Sequence, residues 1–181
     1  MKLWLVRHAQ PLIDPGVCYG ASDIAADPMA TRACAVQLAQ VLPQGVPLIS
    51  SPLQRCEQLA LDLQGLRPDL TLSLDMRLAE MDFGCWEGQR WDAIPAAAFD
   101  AWMADFGALP FGGRESVDAF MQRVAAARAE TAQQGRDVVW ITHAGVMRAM
   151  DLLAQGITRV HRADQWPRHT PGWGQWRHCP L

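Results

Sequence analysis

The chain has 181 residues and a mass of 20.0 kDa, half its residues are apolar, and its 16 basic and 19 acidic side chains leave a net charge of -3. That size fits one compact domain with a sizeable core, and the 8 Trp and 5 Phe spread along it argue against global disorder. The mild acidity offers no electrostatic footprint for nucleic acid or an anionic membrane, so neither is an expected partner.

From the N-terminus, Lys2 is followed by only four apolar residues, Leu3–Val6, before Arg7 and His8. That run is too short for a secretory signal and suits a strand buried on both faces. Met29, Ala33 and Val36 recur at helical spacing. Leu48–Ile49 reads as a second buried strand, and Leu53, Cys56, Ala60 and Leu63 as the apolar stripe of a second helix. Leu72 and Leu74 mark a weaker strand. Residues 80–115 break this alternation, carrying Trp86, Trp91, Phe99, Trp102, Phe106 and Phe111 among Gly and Pro, and read as a cap excursion from the sheet. Glu115 and Ser116 look like a helix start, with Val117, Phe120, Val124 and Ala127 on one face. The buried strand Val138–Ile141 follows, and a short closing strand is expected around Trp173–Trp176.

Strands that alternate with helices predict an α/β fold: a three-layer α/β/α sandwich with a mostly parallel central sheet and a small cap insertion, all within one domain over residues 1–181. Five dispersed cysteines, Cys18, Cys34, Cys56, Cys85 and Cys179, form no C-x-x-C, which argues against a disulfide framework or a closed zinc site. No stretch approaches the roughly 20 apolar residues of a membrane span. A cytoplasmic setting is the expectation. Exposed tail tryptophans would be compatible with a homodimer.

The chemistry gathers at strand ends. Arg7 and His8 follow the first buried strand, and His143 follows the strand ending at Thr142. In a parallel sheet those ends share one edge, so the two histidines can meet in one crevice. Ser50 and Ser51 end the Leu48–Ile49 strand, and Arg55 sits on the first turn of the helix beyond it, where an anion is favoured. Arg7 and Arg55 together would make a forked clamp for a phosphoryl group. Fifteen of the 16 basic residues are Arg, a bias that reads mostly as composition until position singles out individual members. No metal-ligand spacing competes, and no metal or other cofactor is expected.

Four segments carry a resemblance. L-V-R-H-A at Leu5–Ala9, S-S-P-L-Q-R at Ser50–Arg55, L-A-E-M-D-F-G-C-W-E-G at Leu78–Gly88 and T-H-A-G-V at Thr142–Val146 resemble, in order, the signatures of the histidine phosphatase superfamily, which includes phosphoglycerate mutases. G-V-C-Y-G at Gly16–Gly20 and G-G-R-E-S at Gly112–Ser116 resemble most the small bacterial branch of alpha-ribazole phosphatases, which act in assembly of the cobalamin lower loop.

The resemblance implies a metal-independent phosphomonoesterase acting on a small-molecule phosphomonoester, with alpha-ribazole 5'-phosphate as the first substrate to consider. It implies that His8 becomes a phosphohistidine, that Arg7, Arg55 and His143 hold the phosphoryl oxygens, and that Glu80 serves as acid and then base. A mutase-like phosphotransferase and a non-catalytic phospholigand-binding module are the rival readings. Of the neighbouring carboxylates, Glu87 reads as structural and Asp82 as solvated. The chain departs from the family at Ala9, Gln10, Pro11 and Asp14. An ionised Asp14 near the phosphate would repel a dianion, so either the loop runs differently or the substrate is held differently. Arg148, one turn into the helix after His143, can face the phosphate or the solvent, and a structural ion pair is the favoured reading; His161, His169 and His178 with Arg162, Arg168 and Arg177 read as a basic surface tail.

Overall fold

A computed structural model describes residues 1–180. Strands β1 (Lys2–Arg7), β2 (Leu48–Ser50), β3 (Leu72–Leu74), β4 (Val138–Thr142) and β5 (Trp176–Pro180) form one sheet in the order β3-β2-β4-β1-β5. The first four are parallel, and β5 closes the edge antiparallel to β1. Helices α1 (Pro28–Val41), α2 (Gln54–Leu66), α3 (Ala96–Ala104), α4 (Val117–Gln133) and α5 (Ala144–Ala154) complete the chain.

Alternation along the central strands divides the core in two, because successive side chains leave a strand on opposite faces. Leu3, Leu5, Val138 and Trp140 pack with α4 and α5. Trp4, Val6, Val139 and Ile141 pack with α1 and α2. All five β4 residues are buried, as expected of a strand covered on both sides. The three-layer α/β arrangement is therefore the one the sequence predicts. Among the described residues, no helix is long and apolar enough to cross a membrane.

Two details differ from the sequence reading. On α1 the predicted stripe faces solvent, with Met29 83% and Val36 40% exposed. The buried face is Thr31, Cys34, Ala35 and Leu38, equally periodic, with Cys34 Sγ donating to the Gly174 carbonyl at 3.1 Å. At the other end, Gly172–Gln175 forms a turn, so β5 begins only at Trp176. The start of α4 is as read: Ser116 Oγ accepts from the Ala119 N–H, while Glu115 pairs with Arg123.

Between Glu80 and Glu115 lie two single 3-10 turns, Gly84–Trp86 and Trp91–Ala93, and the short α3. Their aromatic rings form a separate cluster around Phe111: Trp102 stacks on it at 4.3 Å between centroids, and Trp91 at 6.3 Å. Such offset ring pairs add about 0.5–1.5 kcal/mol each beyond area burial, which gives a segment with little regular structure a core of its own.

Candidate active site

Register decides what meets at the carboxyl edge. β1 and β4 pair with Arg7 opposite Thr142, and the His8 N–H donates to the Thr142 carbonyl. His8 and His143 therefore leave adjacent strands side by side, their rings 5.2 Å apart and tilted by 55°. β2 ends one strand further along, and the Ser51 N–H donates to the Ile141 carbonyl. Ser51 is thereby placed beside His143. Its hydroxyl lies 2.8 Å from His143 Nε2.

His8 is buried, and its Nδ1 lies 2.7 Å from its neighbour's Ala9 carbonyl oxygen. A carbonyl can only accept, so Nδ1 carries the proton and Nε2 keeps its lone pair. Burial, then the Arg55 and Arg7 charges, push the His8 pKa down to about 3, against a smaller opposing effect of the Ala9 carbonyl. The ring is thus held neutral and oriented, with a lone pair on Nε2 that can bond to an electrophile. His143 is also driven well below its usual pKa, by burial and then by Arg55 and His8.

Two neutral buried histidines give acid lability a predictable sign. The unfolded chain binds protons at both rings below about pH 6.5, whereas the folded chain does not until far lower pH. Stability contributed by their burial is present above pH 6.5 and is lost as pH falls, by up to about 1.4 kcal/mol per pH unit for each ring. Urea midpoints measured from pH 7 to pH 5 should fall, and His8→Ala should fall less steeply than the parent. Parallel slopes would show that His8 is not held neutral.

Arg55 is fully buried without a carboxylate partner. Its Nε donates to His143 Nδ1 at 3.2 Å, one terminal nitrogen to the Ser22 carbonyl at 2.7 Å and the other to the Gly20 carbonyl at 2.5 Å, and Tyr19 lies against the guanidinium at 5.4 Å. Three of five N–H groups are used, leaving one on each terminal nitrogen. Arg7 is half-buried: it donates to the Pro171 carbonyl at 3.0 Å and lies 5.5 Å from the Trp173 ring, while its Nε is buried without a partner among the described residues. Buried charge is expensive unless it is neutralised. Two such cations, met only by carbonyls and rings, make a site that favours a dianion.

The carbonyls holding Arg55 are themselves held. Glu87 accepts from the backbone N–H groups of Gly20, Ala21, Ser22 and Phe83 at 2.9–3.0 Å, and from the Ser22 hydroxyl. Gly20 must be glycine, since a Cβ there would lie 1.8 Å from the Met81 carbonyl oxygen. Glu87 is structural, as read, and the structure it maintains is the loop beneath Arg55. Asp82 caps the 84–86 turn through the Gly84 N–H and pairs with Arg114 at 3.5 Å, so it is engaged by the protein and not simply solvated.

Glu80 sits across the site, one oxygen accepting from the Gly145 N–H at 2.9 Å in the first turn of α5. A Cβ at residue 145 would lie 2.1 Å from Glu80 Oε1, which explains the glycine of the T-H-A-G-V segment. Arg7, His8 and Glu80 line a cavity of about 530 Å³. Its further wall is aromatic, with Phe83, Trp91, Trp102, Phe106, Phe120 and Trp166. Arg55 and His143 lie buried behind the lining.

All five residues singled out from the sequence therefore converge. Asp14 does not: it is exposed and lies outside the cavity, so its charge opposes no dianion there. Among the described residues Arg148 forms no ion pair, against the favoured reading, and it lines the cavity, because α5 turns its residue 144, 145 and 148 face toward Glu80. Arg168, read as tail, also reaches the rim. Tyr19 and Ser51 were not singled out. Ser51 was legible in principle from its place at the strand end, whereas Tyr19 arrives through a loop of no periodicity. Among the described residues, no three His, Cys, Asp or Glu side chains converge as metal ligands.

Residues 3–170 match the family model described as histidine phosphatase superfamily, branch 1. A glucosyl-3-phosphoglycerate phosphatase of Mycolicibacterium vanbaalenii is 30% identical over 180 residues, spanning 92% of this chain and 77% of that protein. A putative phosphoserine phosphatase 2 of Hydrogenobacter thermophilus is 28% identical over 162 residues, spanning 86% and 79%. A solved phosphoglycerate mutase from Thermus thermophilus superposes with a TM-score of 0.67 at 32% identity, covering 90% of this chain and 89% of that one.

Proposed function

From the premise that this chain belongs to the histidine phosphatase superfamily and is a phosphoric monoester hydrolase, we propose that it works without a metal, through a phosphohistidine formed at His8. The observation that carries this reading is the fixed Nε2 lone pair of His8 in a site with buried Arg55 and half-buried Arg7, neither paired to a carboxylate among the described residues. In the first step Nε2 bonds to phosphorus while the bond from phosphorus to the ester oxygen breaks. Glu80, starting as the acid, gives its proton to that oxygen. In the second, Glu80 removes a proton from water as the water oxygen displaces Nε2, and inorganic phosphate leaves.

Arg7 and the two unused N–H groups of Arg55 stabilise the charge spread over the transferring group, and they cost little reorganisation because they are already in place. His143 joins them by turning its Nε2–H from the Ser51 hydroxyl to a phosphoryl oxygen. Loss of one such donor typically costs about 3 kcal/mol of transition-state stabilisation.

The substrate is a small phosphomonoester. The flat walls of the cavity suit alpha-ribazole 5'-phosphate, which the sequence resemblance favours. The names of the relatives favour glucosyl-3-phosphoglycerate and phosphoserine. A phosphate-release panel with these three and 3-phosphoglycerate should show one ester preferred by at least about tenfold in kcat/KM, with no loss of rate in EDTA. Inhibition by EDTA would overturn the metal-free mechanism. Transfer to a second acceptor without free phosphate would identify a mutase.

A further inference from the structure

Glu80 stands on a stretch of chain with little support of its own. After the single turn Met76–Leu78 the backbone is neither helix nor strand until the turn at Gly84, and the carbonyls of Arg77, Leu78, Ala79 and Glu80 meet no backbone N–H among the described residues. Glu80 also lines two concavities at once, the cavity that holds His8 and an open groove walled by Arg77, Asp82, Arg114 and Glu115. A carboxyl that must meet a departing oxygen needs its backbone fixed more closely than such a stretch can manage alone.

Side chains supply what is missing. Thr142, the residue before His143, donates its hydroxyl to the Leu78 carbonyl at 2.8 Å. Arg123 of α4 takes the other three: one terminal nitrogen donates to the Arg77 and Ala79 carbonyls at 2.8 and 2.7 Å, the other to the Glu80 carbonyl at 3.0 Å. Its two remaining N–H groups go to Glu115 at 2.6 and 3.0 Å, so all five donors are used. Glu115 in turn accepts from the Asp82 N–H at 3.1 Å, and the guanidinium lies 4.5 Å from the ring of Phe120, which lines the cavity. The pair therefore grips the chain on both sides of Glu80. Being neutral overall, it adds no net charge there. With the backbone held, the Gly145 N–H fixes one carboxyl oxygen at 2.9 Å.

We propose that Arg123, paired with Glu115, is a positioning residue for Glu80, setting where its carboxyl meets the leaving oxygen. This rests on the reading of Glu80 as the acid, and it deepens that reading by naming what aims the proton.

The test uses two esters of unequal need. The phenolate of 4-nitrophenyl phosphate leaves without a proton, whereas the alkoxide of phenethyl phosphate must be protonated as it departs. Because kcat/KM reports steps only up to that departure, the later work of Glu80 as a base does not enter. Glu80→Gln should lose at least roughly 10²-fold on the alkyl ester and far less on the aryl ester. Arg123→Met should show the same selectivity, with a loss of roughly 10²-fold on the alkyl ester, the scale of a misplaced catalytic group. Arg123→Lys should recover part of it, and it carries the same comparison should Arg123→Met not fold. Adding Arg123→Met or Arg123→Lys to Glu80→Gln should cost little more on the alkyl ester. Equal losses on both esters in the Arg123 variants, or additive losses in the double variant, would make Arg123 a general support of the fold and overturn the proposal. A Glu80→Gln variant without the selectivity would instead overturn the acid role on which the proposal rests.

Discussion

His8→Ala should lower phosphate release by at least roughly 10⁴-fold, the scale seen when a nucleophile that acts as part of a unit is removed. Alanine supplies no lone pair, and water cannot take the vacated place productively because Glu80 is set to protonate a departing oxygen before it activates an incoming one. The variant should remain folded, since deleting the ring removes a buried polar group whose single bond is to its own neighbour's carbonyl. Two measurements check this. Single-turnover phosphate release gives the rate, and quenching under alkaline conditions, where phosphohistidine survives, should trap phosphoprotein in the parent and none in the variant. Full activity in His8→Ala would end the phosphohistidine mechanism. Binding of ligand by the parent without trapped phosphate or turnover would leave the binding-module reading in its place.

Glu87→Gln should produce the second large effect, in both stability and activity. The carboxylate satisfies four backbone N–H groups and one hydroxyl. An amide keeps one acceptor oxygen and turns an NH₂ toward backbone N–H groups, which can only donate. At least one part-buried donor loses its partner, the Ser22 N–H if the amide nitrogen replaces Oε2 or the Ala21 and Phe83 N–H groups if it replaces Oε1, at about 1–3 kcal/mol each, so the urea midpoint should fall by the equivalent of about 1–3 kcal/mol. Activity should fall by a separate route. The Gly20 and Ser22 carbonyls that hold Arg55 belong to the loop that Glu87 organises, so kcat should drop while the protein is still folded. A double-mutant cycle with Arg55→Lys distinguishes this positioning role from plain destabilisation. If the two substitutions act through one loop, the second costs much less activity than the first, whereas additive losses would separate Glu87 from Arg55.

How much of this was legible in the sequence depends on what each feature required. The central strands and the convergence of His8 and His143 were legible, because a short apolar run followed by a polar residue places that residue at the carboxyl edge of a parallel sheet whatever the connections. The pairing of Arg7 with Thr142 then needed only the sheet order. On α1, by contrast, two helical stripes existed, and packing chose the one through Thr31, Cys34, Ala35 and Leu38. The path of the loop that takes Asp14 out to solvent depends on contacts with residues such as Arg90, far away in sequence, and no periodicity encodes it. Arg148 could be placed on a helix by its neighbours. Its lack of an acidic partner is a tertiary fact.

The tail has a consequence for when the site can exist. Arg7 donates from its backbone to Gln175 and from its side chain to Pro171, and the Gly174 N–H donates to the His8 carbonyl. His8 and Arg7 are thus oriented by residues more than 160 positions later in the chain. Contacts so distant in sequence close late, after their loop entropy has been met by the rest of the core. A nascent chain still lacking residues 171–175 can bury most of its hydrophobic surface and yet carry an unfinished Arg7, so folding and catalytic competence need not arrive together during synthesis.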